Sequence, residues 1–122
     1  MPVQCTEAEW KIMEVLWEDA PRTMPEITKA LAEKTGWTRH TVITLLKRMI
    51  DKGSIRVDES GPVKQYFPLI TREEASSQET KKLLSHVFSG KASLLVQNLV
   101  DTGELTENDV EELLYLIRRS GK

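Results

Sequence analysis

The chain has 122 residues, of which 39% are hydrophobic and 30% charged, with a formal net charge of −2. That length holds one ordinary domain, or one small domain with an appendage that completes its core against a partner. No apolar run nears the roughly 20 residues of a membrane-spanning helix, and Met1-Pro2-Val3-Gln4-Cys5-Thr6 has no basic stretch before an apolar core, so a cytoplasmic protein without a secretion signal is expected.

The first ordered signal is Thr6-Glu7-Ala8-Glu9, a capping box in which the Thr6 hydroxyl takes the Glu9 amide and the Glu9 carboxylate returns to the Thr6 amide. A helix follows with Trp10, Met13, Val15, Leu16 and Trp17 as its apolar side, stopped at Ala20-Pro21. The same device recurs at Thr23-Met24-Pro25-Glu26, with Pro25 in the first turn, where its missing amide costs nothing. This second helix runs to about Lys34 with Ile27, Ala30 and Leu31 inward, and Gly36 serves as its left-handed cap.

Thr38 caps a third helix in which Val42, Leu45, Leu46, Met49 and Ile50 recur at i, i+3, i+4, i+7 and i+8. That stripe turns inward. Arg39, His40, Thr41, Ile43, Thr44 and Lys47 are left on the outer side until Gly53 ends the helix. Beyond it, Ile55-Arg56-Val57-Asp58-Glu59 and Val63-Lys64-Gln65-Tyr66-Phe67 alternate apolar and polar residues on either side of Ser60-Gly61-Pro62, which predicts a hairpin.

Three capped helices and then a hairpin are the element order of a winged helix-turn-helix, with the third helix as reader and the hairpin as wing. The predicted fold class is therefore mostly α with a small β-hairpin, a winged-helix domain over residues 1–70 and a helical dimerisation segment over 71–122. In the second part, Thr71-Arg72-Glu73-Glu74 opens another helix, yet Ala75 is the only apolar residue between Thr71 and Lys82, so a solvated arm is expected there. Apolar density returns at Leu83, Leu84, Val87 and Phe88, then at Leu94, Leu95, Val96, Leu99 and Val100 after Ser89-Gly90. A last helix capped by Thr106 carries Val110, Leu113, Leu114, Leu116 and Ile117. Thin helices of this length do not close a core alone, so a two-fold homodimer is predicted, with Leu84, Phe88, Leu94, Leu95, Val110, Leu113, Leu114 and Ile117 in its interface.

Charge is distributed unevenly. Lys34, Arg39, Lys47, Arg48, Lys52 and Arg56 face a single acid, Asp51, within one segment, whereas Asp101 to Glu112 holds six acids and no Lys or Arg. The first region suits a polyanion and the second repels one. Arg39, His40, Thr41, Ile43 and Thr44 stand where a recognition helix meets base edges, although a Thr on a helix can also bond back to its own carbonyls. Lys47, Arg48 and Lys52, with Arg56 and Lys64 on the hairpin, are placed for phosphates of double-stranded DNA. Two heads at fixed spacing demand a dyad-symmetric site.

Ala8-Glu9-Trp10, Ile12-Met13, Val15-Leu16-Trp17, Trp37-Thr38, Thr41-Val42, Thr44-Leu45, Arg48-Met49, Lys52-Gly53 and Tyr66-Phe67-Pro68-Leu69, followed by Phe88-Ser89-Gly90, Ser93-Leu94-Leu95-Val96 and Glu111-Glu112-Leu113, resemble the penicillinase and methicillin-resistance repressors, the BlaI/MecI family. The resemblance covers nearly the whole chain. It implies a dimeric repressor of resistance genes that binds TACA/TGTA half-sites, with Thr41 matching a base-contacting Thr. Ile43 stands where staphylococcal members carry a DNA-contacting Arg. The resemblance also implies inactivation by a membrane sensor metalloprotease that answers β-lactam, with Asn98-Leu99 matching the cleaved Asn-Phe bond. A copper-sensing relative has a cysteine-rich C-terminal motif that Arg118-Arg119-Ser120-Gly121-Lys122 lacks.

Other readings stay open: a winged-helix protein-interaction module that binds no DNA, or a family repressor answering a signal other than β-lactam. An enzyme is not expected, because there is no Gly-rich phosphate loop and no nucleophile-base pair. With Cys5 the only cysteine and His40 and His86 the only histidines, no disulfide, metal set or cofactor is expected, nor a small-molecule substrate.

Overall fold

Thr6 and Thr23 open the first two helices, α1 (Glu7–Glu18) and α2 (Met24–Thr35), each through a complete capping box in which hydroxyl and carboxylate satisfy one another's amides. A computed structural model describes residues 4–120. Gly36 closes α2 in the left-handed conformation, φ 68°, and Thr38 opens α3 (Arg39–Lys52), its hydroxyl accepting the Thr41 amide. Strands β1 (Ile55–Asp58) and β2 (Gln65–Pro68) pair antiparallel, with Arg56 opposite Phe67 and Val57 opposite Tyr66. The second strand starts later than the alternation predicts, because Asp58 folds the intervening turn by accepting the Ser60 amide at 2.9 Å and the Ser60 hydroxyl at 2.6 Å. Three further helices follow: α4 (Arg72–Val87), α5 (Ala92–Asp101) and α6 (Glu107–Arg119).

The core lies where the apolar stripes of the first three helices converge. Ile12, Met13 and Leu16 from α1, Ile27 and Leu31 from α2, and Val42, Leu45, Leu46 and Met49 from α3 are buried together with Ile55 and Tyr66 of the hairpin. Each such side chain removed from water contributes on the order of 1.5–3 kcal/mol. The hairpin is fastened twice. Its first strand follows directly on Gly53, and its second makes a one-residue bridge to the α1–α2 connection, with the Tyr66 amide donating to the Arg22 carbonyl at 2.8 Å and the Arg22 amide donating to the Tyr66 carbonyl at 3.2 Å.

The chain divides into two compact units after Gln78, within α4. A boundary at residue 70 was expected, with a solvated arm beyond it. Instead Ile70 and Ala75 join the core cluster, and the Trp17 indole donates to the Ile70 carbonyl at 2.9 Å. Ala75 is small enough to seat the first turns of α4 against larger neighbours, so one apolar residue does the anchoring that the sequence pattern assigned to none. In the second unit, α5 and α6 contain no buried residue. Leu94, Val110, Leu113, Leu114 and Ile117 are exposed, and Leu84, Phe88 and Leu95 are half-buried.

Candidate nucleic-acid interface

Helix α3 presents two unlike sides. Its inner stripe is fixed in the core, with Val42 and Met49 fully buried and Leu46 nearly so. Its outer side carries Arg39, His40, Thr44, Lys47 and Arg48, all exposed, with Thr41 and Ile43 half-buried. The side chains of Arg39, His40 and Lys47 form no hydrogen bond or ion pair with another described residue. Positive charge is thus held on a core-anchored helix with no direct ion pair to these three side chains among the described residues.

The two threonines are more constrained. Thr41 stands 3.3 Å from the Thr38 hydroxyl, inside the cap of its own helix. Thr44 donates its hydroxyl to the His40 carbonyl at 3.0 Å, the local bonding anticipated for a helical threonine, which leaves its methyl and one lone-pair direction outward. On the hairpin, the Arg56 guanidinium lies 4.0 Å from the centre of the Phe67 ring, opposite it in register. At that distance the ring face attracts the cation and restricts where it can sit. Lys64 pairs with Glu59 at 3.2 Å, both well exposed, so its charge is partly offset.

Lys52 departs from its expected role. Its ammonium donates to Glu9 Oε1 at 2.7 Å and to the Gln4 carbonyl at 3.2 Å. Glu9 is fully buried, and its Oε2 has no hydrogen-bond partner. Burial pushes the Glu9 carboxyl upward, but the Lys52 ammonium, the Thr6 amide and the nearby charge of Arg48 outweigh it and hold the group below the ordinary glutamate range. Lys52 therefore secures α3 to α1, its ammonium engaged by a buried carboxylate, unlike the ammonium of Lys47. The signal was present in the sequence: Glu9, Ile12, Met13 and Leu16 recur at i, i+3, i+4 and i+7, an acid within an apolar stripe.

The Asn98-Leu99 bond lies near the end of α5, with Asn98 exposed and Leu99 half-buried. The Asn98 carbonyl accepts the Thr102 hydroxyl at 2.9 Å and the Thr102 amide at 3.0 Å. No helix among the described residues is long and apolar enough to cross a membrane, and no group of three or more His, Cys, Asp or Glu there could hold a metal ion.

Three helices, the hairpin and the exposed outer side of α3 together define a winged-helix protein, with the architecture of DNA-binding transcriptional repressors. The sequence profile of the penicillinase repressor family matches residues 5–119, and the chain belongs to that family. It is 24% identical over 116 residues to the methicillin resistance regulatory protein MecI of Staphylococcus aureus (strain N315), covering 95% of this chain and 94% of that one. It is 25% identical over 114 residues to the penicillinase repressor of Bacillus licheniformis, covering 93% and 89%. Among solved structures, the monomeric form of Bacillus licheniformis BlaI in complex with the blaP half-operator superposes with a TM-score of 0.54 at 30% identity, over 61% of this chain and 90% of that one.

Proposed function

We propose that this chain is a dimeric transcriptional repressor that binds a palindromic DNA operator through α3 and the hairpin, controls genes of the β-lactam-resistance type, and is released by proteolysis in its second unit. One observation carries the reading: Arg39, His40 and Lys47 stand exposed, without an ion pair among the described residues, on a helix whose opposite side is locked in the core. Such a surface meets a polyanion without rearranging. Arg39, His40, Thr41, Ile43 and Thr44 occupy the base-edge positions, while Lys47, Arg48, Arg56 and Lys64 take phosphates.

The exposed leucines, Val110 and Ile117 of α5 and α6 support self-association, since an apolar surface of this kind is covered in a stable protein. Cleavage at Asn98-Leu99 by a membrane sensor metalloprotease, in the cytoplasm, would sever α6 from the rest of the chain. The helical hydrogen bonds on the Asn98 carbonyl require that turn to unwind first.

The test is duplex binding at several salt concentrations. Affinity for a palindrome with TACA/TGTA half-sites falls steeply with salt, and Lys47→Gln lowers the slope of log affinity against log salt by about one unit. A slope untouched by Lys47→Gln, or no preference for the palindrome over random duplex, refutes the reading and favours a protein-interaction module.

A further inference from the structure

Between the start of α2, the outer side of α3 and the hairpin lies a cleft of about 540 Å³, contained entirely in the first unit. Its size is that of a small-ligand site, for which the usual range is about 300–1,000 Å³. Ile43 and Ile50 of α3 and Val57 of β1, all half-buried, give it an apolar lining. Arg39, Ile43 and Lys47 follow one another at intervals of four residues, so the two cations flank the same apolar side chain along one side of the helix. Both line the cleft, and neither is paired with another described residue. Lys64 also lines it but is held by Glu59, whose carboxylate disfavours a second negative charge at the hairpin end.

Apolar lining with two unpaired cations on one side matches an amphiphile with a single anionic head. We propose that this cleft binds a small carboxylate with an apolar body, of about the size of a naphthoic acid, and that its occupancy displaces DNA. The carboxylate bridges Arg39 and Lys47, the former able to hold it with two parallel hydrogen bonds. The body covers Ile43, Ile50 and Val57 and frees the water over them. Because DNA needs the same two cations, ligand and operator exclude one another. This half of the proposal rests on the operator reading, whereas binding of the carboxylate itself does not.

The two halves are tested separately. Full-length protein without DNA is titrated with 2-naphthoate and with 2-naphthamide, following the methyl NMR signals of Ile43, Ile50 and Val57. Naphthoate moves those signals and saturates at about 1 mM or below, as an efficient ligand of that size does. The amide binds at least about threefold more weakly, and Lys47→Gln weakens naphthoate by about two- to fivefold, the upper part of the range for one exposed ion pair. Equal binding of acid and amide, movement confined to other methyls, or no saturation by about 10 mM overturns the site. In the second arm a fluorescent duplex is titrated with protein in the presence of naphthoate at its own dissociation constant. Simple competition doubles the midpoint there on a duplex with a single half-site and raises it about fourfold on the palindrome, where both clefts of a dimer must be empty; an unchanged midpoint, with the methyl shifts intact, overturns mutual exclusion alone.

Discussion

Lys52, in the last turn of α3, donates to the fully buried carboxylate of Glu9, in the first turn of α1, at 2.7 Å. The contact joins residues 43 positions apart and fixes the C-terminal end of α3 to the core. Removing the ammonium strands a buried negative charge, so Lys52→Met destabilises the fold by about 1–3 kcal/mol, a cost moderated because the lysine itself is partly exposed. Urea unfolding measures the loss. The salt slope of DNA binding stays at its wild-type value in this variant, in contrast to Lys47→Gln, and a change of a full unit would return Lys52 to the phosphate-holding set.

The same pair gives stability a pH dependence. Glu9 is held below the ordinary glutamate range in the folded protein, so the unfolded chain takes up its proton first as pH falls. Its contribution is complete above the unfolded value, near pH 4.3, and is lost as pH drops through that value and the lower folded one. Glu9→Gln, less stable at neutral pH, should therefore lose less between pH 5 and pH 3 than the wild type does. Parallel acid-unfolding curves for the two proteins would remove Glu9 as a source of the acid sensitivity.

Arg56 supplies a third expectation. Phe67 holds its guanidinium over the ring, 4.0 Å from the centre, and Phe67→Leu releases it while leaving the charge in place. An exposed cation–π contact is worth about 0.5–1 kcal/mol, so operator affinity should fall by roughly two- to fivefold at constant salt slope. Anisotropy titrations of both proteins at two salt concentrations check this; unchanged affinity means the wing guanidinium does not need its ring.

Truncation after Asn98 removes α6 and tests the coupling of assembly to DNA reading. The truncated chain should bind a single half-site as the intact protein does, yet lose about tenfold or more on the palindrome, because its two heads are no longer linked. Sedimentation alongside the titration reports the change in assembly. In the intact chain, Thr102→Ala removes the hydroxyl bond to the Asn98 carbonyl, and the Asn98-Leu99 bond should then be cut faster by a broad-specificity protease, read by mass spectrometry of the fragments.

Gly53 allows a cleaner measurement of backbone cost. It ends α3 at φ 85°, and a Cβ placed there meets nothing within 4 Å. Gly53→Ala is therefore expected to lose about 1–2 kcal/mol from conformation alone, and Gly53→Asn less.

Most of the first unit could be read from sequence because its signals are local. Thr6, Thr23 and Thr38 each cap a helix within three residues, and the Val42-to-Ile50 stripe states which side of α3 turns inward. The features that escaped are long-range. Nothing near Arg22 announces its bridge to Tyr66, and the anchoring of Ala75 depends on a space that residues far away in sequence create. The Lys52 contact to Glu9 is equally invisible locally, because a lysine at the end of a basic helix looks the same whether it faces a phosphate or a buried acid. The cleft beside α3 has the same origin: Ile43 belongs to the outer side by periodicity, and only the neighbouring hairpin makes it part of a lining.

The paired hydrogen bonds between Arg22 and Tyr66 set a tolerance on evolutionary change in the hairpin. They clamp its second strand one pair short of the turn, so insertions near Gln65 or Tyr66 would disengage the ribbon. Residues Ser60 to Pro62, beyond the clamp, are held only by the local bonds of Ser60 to Asp58, so changes of length are tolerated better there. Divergence in reach along the double helix should accumulate at that tip, while the angle at which the ribbon leaves the body stays constant.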